Sequence, residues 1–111
     1  MPHCIIEHSS SIESADLNQK VFLGALESNL FEPDGGDIKV RSIAYENYQT
    51  GTVKEDFIHV TLRILSGRND EDKLLLSNSV MFQLISVPLV GASLTVEVVD
   101  IDRNSYSKQV V

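Results

Sequence analysis

The chain has 111 residues, a length that suits one domain spanning 1–111, with 42% hydrophobic residues and a formal net charge of −7 at pH 7. That acidic balance excludes a nucleic-acid binder and a protein drawn to an anionic membrane surface, since both need a basic footprint. The single cysteine, Cys4, excludes an intrachain disulfide, and no apolar run approaches the ~20 residues of a membrane span. The opening residues lack a basic region followed by a long apolar run, so no secretory signal is expected and a cytoplasmic setting is.

Pro2 to His8 reads as a short strand centred on Cys4, Ile5 and Ile6. Ser11 or Ser14 can cap a following helix, with Glu13 and Asp16 favourable in its first turn. Val21, Phe22, Ala25, Leu26 and Leu30 recur at helical spacing, which predicts a helix over Ser14–Leu30 that Glu32–Gly36 ("EPDGG") stops. A second strand follows, with Ile38, Val40, Ser42 and Ala44 on one face and Lys39, Arg41, Ile43 and Tyr45 on the other.

"FIHVTLRIL" is the clearest strand: Ile58, Val60, Leu62 and Ile64 face one way, His59, Thr61 and Arg63 the other. Asn69 or Asp70 caps a second helix, whose buried face is predicted to carry Leu74, Leu75, Val80, Met81, Leu84 and Ile85 before Pro88 and Gly91 end it. "SLTVEVVDI" is the last strand, and "DRNSYSKQVV" a polar tail. The order is βαββαβ, with a weak internal echo when "PHCIIEHSSS" is laid against "IHVTLRILSG". Two right-handed βαβ units side by side make an α+β fold: a four-stranded mixed sheet with both helices on one face. The other face, read as apolar, has no cover from this chain and calls for a homo-oligomer.

Few residues suggest chemistry. His3, His8, His59 and Cys4 lack metal-ligand spacing, because His3 and His8 fall on opposite faces of one strand. "NDEDK" lacks the glycine and terminal glutamate of a calcium loop. Pro2 stands out, because removal of Met1 would leave it a free secondary amine. Without such a role Pro2 is simply the first residue of an edge strand. Arg68 follows Gly67 and precedes a helix start, where guanidinium and helix-end amides suit a carboxylate.

"MPHCIIEHS" at the start, "FIHVTLRILSGR" in the middle and the βαββαβ order resemble the tautomerase superfamily, and within it the 5-carboxymethyl-2-hydroxymuconate delta-isomerase family. The resemblance covers nearly the whole chain, with "IKVR" where the family tends to have "IRSR". It implies a homotrimer with the sheets forming an inner barrel. It implies a cofactor-free enzyme of aromatic catabolism that shifts a proton within an unsaturated oxo or hydroxy di- or tricarboxylic acid. Pro2 would be the general base and acid, and Arg68 would bind and polarise the substrate. Lys39 and Arg41 would join Arg68 in binding the small-molecule carboxylate. Lys39 departs from the family's arginine, keeping the charge and losing the bidentate fork. That departure leaves room for a related Pro-dependent hydratase or dehalogenase. A retained Met1 would instead make Pro2 an amide and leave a non-catalytic trimeric binding protein.

Overall fold

The computed structural model describes residues 1–111 as six elements. They are β1 (Pro2–Ser9), α1 (Ser14–Glu27), β2 (Lys39–Tyr45), β3 (Phe57–Leu65), α2 (Asp70–Ile85) and β4 (Ser93–Ile101). The four strands form one sheet in the order β2-β1-β3-β4. β1 and β2 run parallel, as do β3 and β4, each pair joined through its helix; β1 and β3 meet antiparallel at the centre. β1 is therefore an interior strand, so Pro2 is not an edge residue. A proline fits there because it opens the strand, where its missing N–H costs least.

Both helices pack on one sheet face. Ile6, Ile58, Val60, Leu62 and Ile64 from the sheet meet Leu17, Val21 and Ala25 of α1 and Leu76, Val80 and Leu84 of α2 in a single core. The helices cross closely at Gly24: a Cβ there would stand 2.7 Å from the Val80 Cα, and the Ser79 hydroxyl donates to the Gly24 carbonyl at 2.6 Å.

α1 ends at Glu27, one turn before Leu30. Ser28 turns its hydroxyl back to the Ala25 carbonyl at 2.6 Å, and Asn29 takes a left-handed φ of 59°, which breaks the helix. Neither serine caps the start of α1. Ser14 Oγ is paired with His8 Nε2 at 2.9 Å and Ser11 Oγ donates to Asp56, and the N-cap is Glu13, whose side chain makes no capping bond.

α2 does start from Asn69, whose side chain accepts from the Asp72 amide at 2.8 Å. Its buried face is shifted from the expected one. Leu76, Val80 and Leu84 point inward at a four-residue spacing, while Leu74, Leu75 and Ile85 are exposed. An apolar run all round a short helix leaves its phase to tertiary packing, which here follows the close contact at Gly24.

The opposite sheet face is uncovered, but it is not apolar. Pairing in register puts His3, Ile5 and Glu7 beside Lys39, Arg41 and Ile43 on one side and Arg63, Thr61 and His59 on the other. Thr95 and Glu97 of β4 extend that face and both bond the His59 ring. The strand period of two sends these positions outward together, Ile5 and Ile43 among them, and Cys4, Ile6, Ile58, Val60, Leu62 and Ile64 inward.

Candidate active site

The site lies where three chain segments converge at one end of the sheet. β1 begins where β3 ends, since Pro2 pairs with Ile64. β3 leads at once into the turn Ser66–Asn69. β4 ends beside β3, Leu65 pairing with Ile101 and the Ser66 amide donating to the Ile101 carbonyl at 2.9 Å. The N-terminus, the β3–α2 turn and the first residues of the tail are thereby brought together.

Two clefts open there. One, of about 150 Å³, is lined by Met1, Leu30, Phe31, Asp37, Ile64 and Leu65 together with Arg68 and Arg103. The other, of about 430 Å³, is wholly polar, lined by Ser66, Gly67, Arg68, Asn69, Asp72 and Arg103. Arg68 and Arg103 belong to both and form their shared wall. Gly67, with φ 123°, takes a turn that a side chain would strain.

Arg68 donates to the Leu30 carbonyl and stands 4.0 Å from Asp72 one helical turn on. The Met1 ammonium lies in the first cleft, 2.6 Å from Asp37 Oδ2. Burial pushes the Asp37 carboxyl up, but the hydrogen bond and charge of that ammonium, with backbone amide donors, leave it below its ordinary value. Pro2 follows Met1 with its ring fully buried, and with Met1 attached its nitrogen is a tertiary amide.

Lys39 and Arg41 line neither cleft. They stand on the open sheet face, next to His3 and Ile5 in the register. Within one protomer, the structure brings Arg68 to the N-terminus and leaves Lys39 and Arg41 on the other side of the sheet. Arg41 is linked to the N-terminus indirectly. Its Nη1 donates to His3 Nδ1 at 3.2 Å, which places the ring proton on Nε2. His3 Nε2 then meets the Tyr106 hydroxyl at 3.0 Å, and that hydroxyl donates to Met1 Sδ at 2.6 Å. Desolvation, with Arg41, Lys39, the N-terminus and Arg63 close by, lowers the His3 pKa and favours this neutral ring. Cys4 is inert: burial pushes its thiol up to about 12.

The residues missed in the sequence are Arg103, Asp37 and Tyr106. All three sit where the sequence reads as turn or tail. The signal available for Arg103 was topological, because the carboxyl ends of parallel neighbours cluster, and ligands of open sheets bind at those ends.

The βαββαβ sheet, with its N-terminal strand opening into an arginine-lined cleft, defines a tautomerase-fold protein. The profile of one family, 5-carboxymethyl-2-hydroxymuconate isomerase, matches residues 2–109, and the chain belongs to that family of isomerases. Solved structures share the fold. A 5-carboxymethyl-2-hydroxymuconate isomerase from Deinococcus radiodurans R1 superposes with a TM-score of 0.74 at 22% identity, over 97% of this chain and 88% of the other. A fused 4-OT described as a symmetric trimer gives 0.78 at 15% identity, over 96% and 90%. FG41 malonate semialdehyde decarboxylase gives 0.73 at 12% identity, over 96% and 88%. No curated protein matches the sequence.

Proposed function

We propose that the chain is a cofactor-free isomerase working as a homotrimer, which shifts a proton within an unsaturated oxo or hydroxy di- or tricarboxylic acid such as 5-carboxymethyl-2-hydroxymuconate. The observation that carries this reading is the N-terminus lying in the same cleft as Arg68. Loss of Met1 would free the Pro2 amine beside that cleft. The amine takes the proton from one end of the enol system, the double bonds shift, and the resulting ammonium returns the proton at the other end. Such catalysis contributes ~10²–10⁴-fold when the base titrates near the working pH. A free α-amine starts at roughly 7.7–8.0, a proline amine is intrinsically more basic, and Arg68 in the adjoining cleft disfavours the ammonium while holding a substrate carboxylate.

Lys39 and Arg41 can meet a substrate only where a second copy lays its cleft against the open sheet face. The trimeric 4-OT neighbour supports an assembly of that kind for this fold. A second reading keeps the Pro2 amine and changes the reaction to hydration or dehalogenation of an unsaturated acid; Lys39 in the place of an arginine favours it. No helix is long and apolar enough to cross a membrane.

The deciding experiment is the intact mass of protein made without an N-terminal tag, followed by assays on phenylenolpyruvate and a hydroxymuconate. A mass short of one methionine, with turnover, supports the isomerase. Retained Met1 with no turnover leaves a binding protein, and turnover of haloacrylates alone favours the second reading.

A further inference from the structure

Arg68 and Arg103 are not equivalent walls of the two clefts. Arg68 is engaged, giving one terminal nitrogen to the Leu30 carbonyl and holding the other 4.0 Å from the Asp72 carboxylate. Arg103 is anchored at its base only. Its amide donates to Ser66 Oγ at 3.3 Å and its Nε to the Ser66 carbonyl at 3.0 Å. Its two terminal nitrogens have no partner in the protein, and no carboxylate lies within 4.0 Å of them. Gly67 lies against the guanidinium, where a Cβ would stand in contact at 3.8 Å from Nη2, and both residues line the polar cleft.

A guanidinium pinned through Nε, with its outer edge facing a polar cleft, has its orientation fixed before any ligand arrives. That lowers the ordering cost of a carboxylate contact. The two clefts that share these arginines also divide the work: the apolar side chains of the first, Leu30, Phe31, Ile64 and Leu65, suit a carbon skeleton, and the polar lining of the second suits a carboxylate.

We infer that Arg103 is a specificity-determining residue that binds a second carboxylate of the substrate, so that one protomer, through Arg68 and Arg103, selects an unsaturated dicarboxylate over a monocarboxylate of the same skeleton. This rests on the isomerase reading for the site's use, but its binding test does not. Arg103 supplies within the cleft the second cation that Lys39 and Arg41, on the other sheet face, do not bring there.

The test is calorimetric binding of muconate and of sorbate, six-carbon dienoates that differ by one carboxylate, to the Met1-processed trimer or whatever assembly the purified chain forms. The wild type binds muconate roughly 10-fold to 100-fold more tightly than sorbate, the range of one charge-assisted contact. Arg103→Gln brings the muconate constant to within about threefold of the sorbate constant. Arg103→Lys, which keeps the charge, gives an intermediate preference, which a merely structural role of Arg103 would not produce. Arg68→Gln weakens both ligands. Equal affinities in the wild type, or a preference that survives Arg103→Gln, overturns the inference. The isomerase reading fails separately, if muconate binds with the expected preference while no enol substrate turns over.

Discussion

The Met1 ammonium lies 2.6 Å from Oδ2 of Asp37. Asp37 sits at the end of the loop between α1 and β2, and its Oδ1 also accepts from the Glu32 amide at 3.2 Å, so the carboxylate is braced before the N-terminus meets it. The carboxylate thus faces the chain start from the same cleft as Arg68 and Arg103.

Asp37→Asn is therefore expected to change the pH dependence of catalysis. A neighbouring carboxylate raises the pKa of an amine, and its removal lowers it. If Pro2 is the base, the acidic limb of kcat/KM against pH moves to lower pH in Asp37→Asn. A limb that stays in place means that Asp37 does not reach the processed amine. The same variant reads stability. Asp37 has a lowered folded pKa, so its contribution is fully present above the ordinary carboxylate value of 3.8 and is lost as pH falls through the folded value. Acid unfolding of protein that retains Met1 should show that loss below pH 3.8, and Asp37→Asn should lack it.

Pro2→Ala tests the base itself. Alanine keeps an N-terminal amine after Met1 removal but loses the ring that sits fully buried and fixes the nitrogen. Turnover is expected to fall by about 10²-fold or more, with the far-UV circular dichroism preserved because β1 keeps its pairing from His3 onward. Turnover within a factor of about three of wild type would remove Pro2 from the mechanism.

Much of the fold is legible in the sequence, and the reasons are local. β3 and β4 match their predicted bounds, Phe57–Leu65 and Ser93–Ile101, because apolar and polar residues alternate through most of each stretch. Asn69 as the cap of α2 is equally local, a side chain bonding three residues ahead. The misreadings come from contacts distant in sequence. Ser14 is a good cap in isolation, yet His8 claims its hydroxyl. Leu74 and Leu75 look like core, but the crossing at Gly24 rotates α2 so that Leu76 enters instead. At the site, Arg68 is visible from its neighbours Gly67 and Asn69, whereas Arg103 becomes visible only once β4 is known to end beside β3. Lys39 and Arg41 share a face as expected, but which face that is depends on the parallel register with β1.

Gly24→Ala probes the helix crossing. The added Cβ would stand 2.7 Å from the Val80 Cα and 3.0 Å from the Ser79 carbonyl, both backbone atoms that cannot swing aside. The helices must separate, costing about 1–3 kcal/mol by overpacking against a gain of up to about 1 kcal/mol in helix propensity. The net expectation is a Tm lowered by roughly 4–8 °C for each kcal/mol lost, measured by thermal unfolding. A stabilised variant would mean that the crossing relaxes freely.

His3 gives the protein a pH response separate from that of its carboxylates. Desolvation first, then the charges of Arg41, Lys39, the N-terminus and Arg63, lower its pKa from the ordinary 6.5. The neutral ring is also the one the contacts require, since Arg41 donates to Nδ1 and leaves Nε2 to donate to the Tyr106 hydroxyl. The unfolded chain therefore binds this proton at a higher pH than the folded one, and stability rises with pH in that window. The contribution is fully present above pH 6.5 and is lost as pH falls through the lowered folded value. Protonation at Nδ1 would also set an imidazolium against the Arg41 guanidinium and remove the acceptor of its hydrogen bond, while Nε2 still donates to the Tyr106 hydroxyl. Thermal melts between pH 7.5 and 5 should show Tm falling below pH 6.5 in the wild type and a flatter profile in His3→Gln. Because Asp37 titrates at a much lower pH, Asp37→Asn should keep the wild-type slope in this range. A wild-type profile as flat as that of His3→Gln would mean that Arg41 and the surrounding charges do not hold the ring neutral.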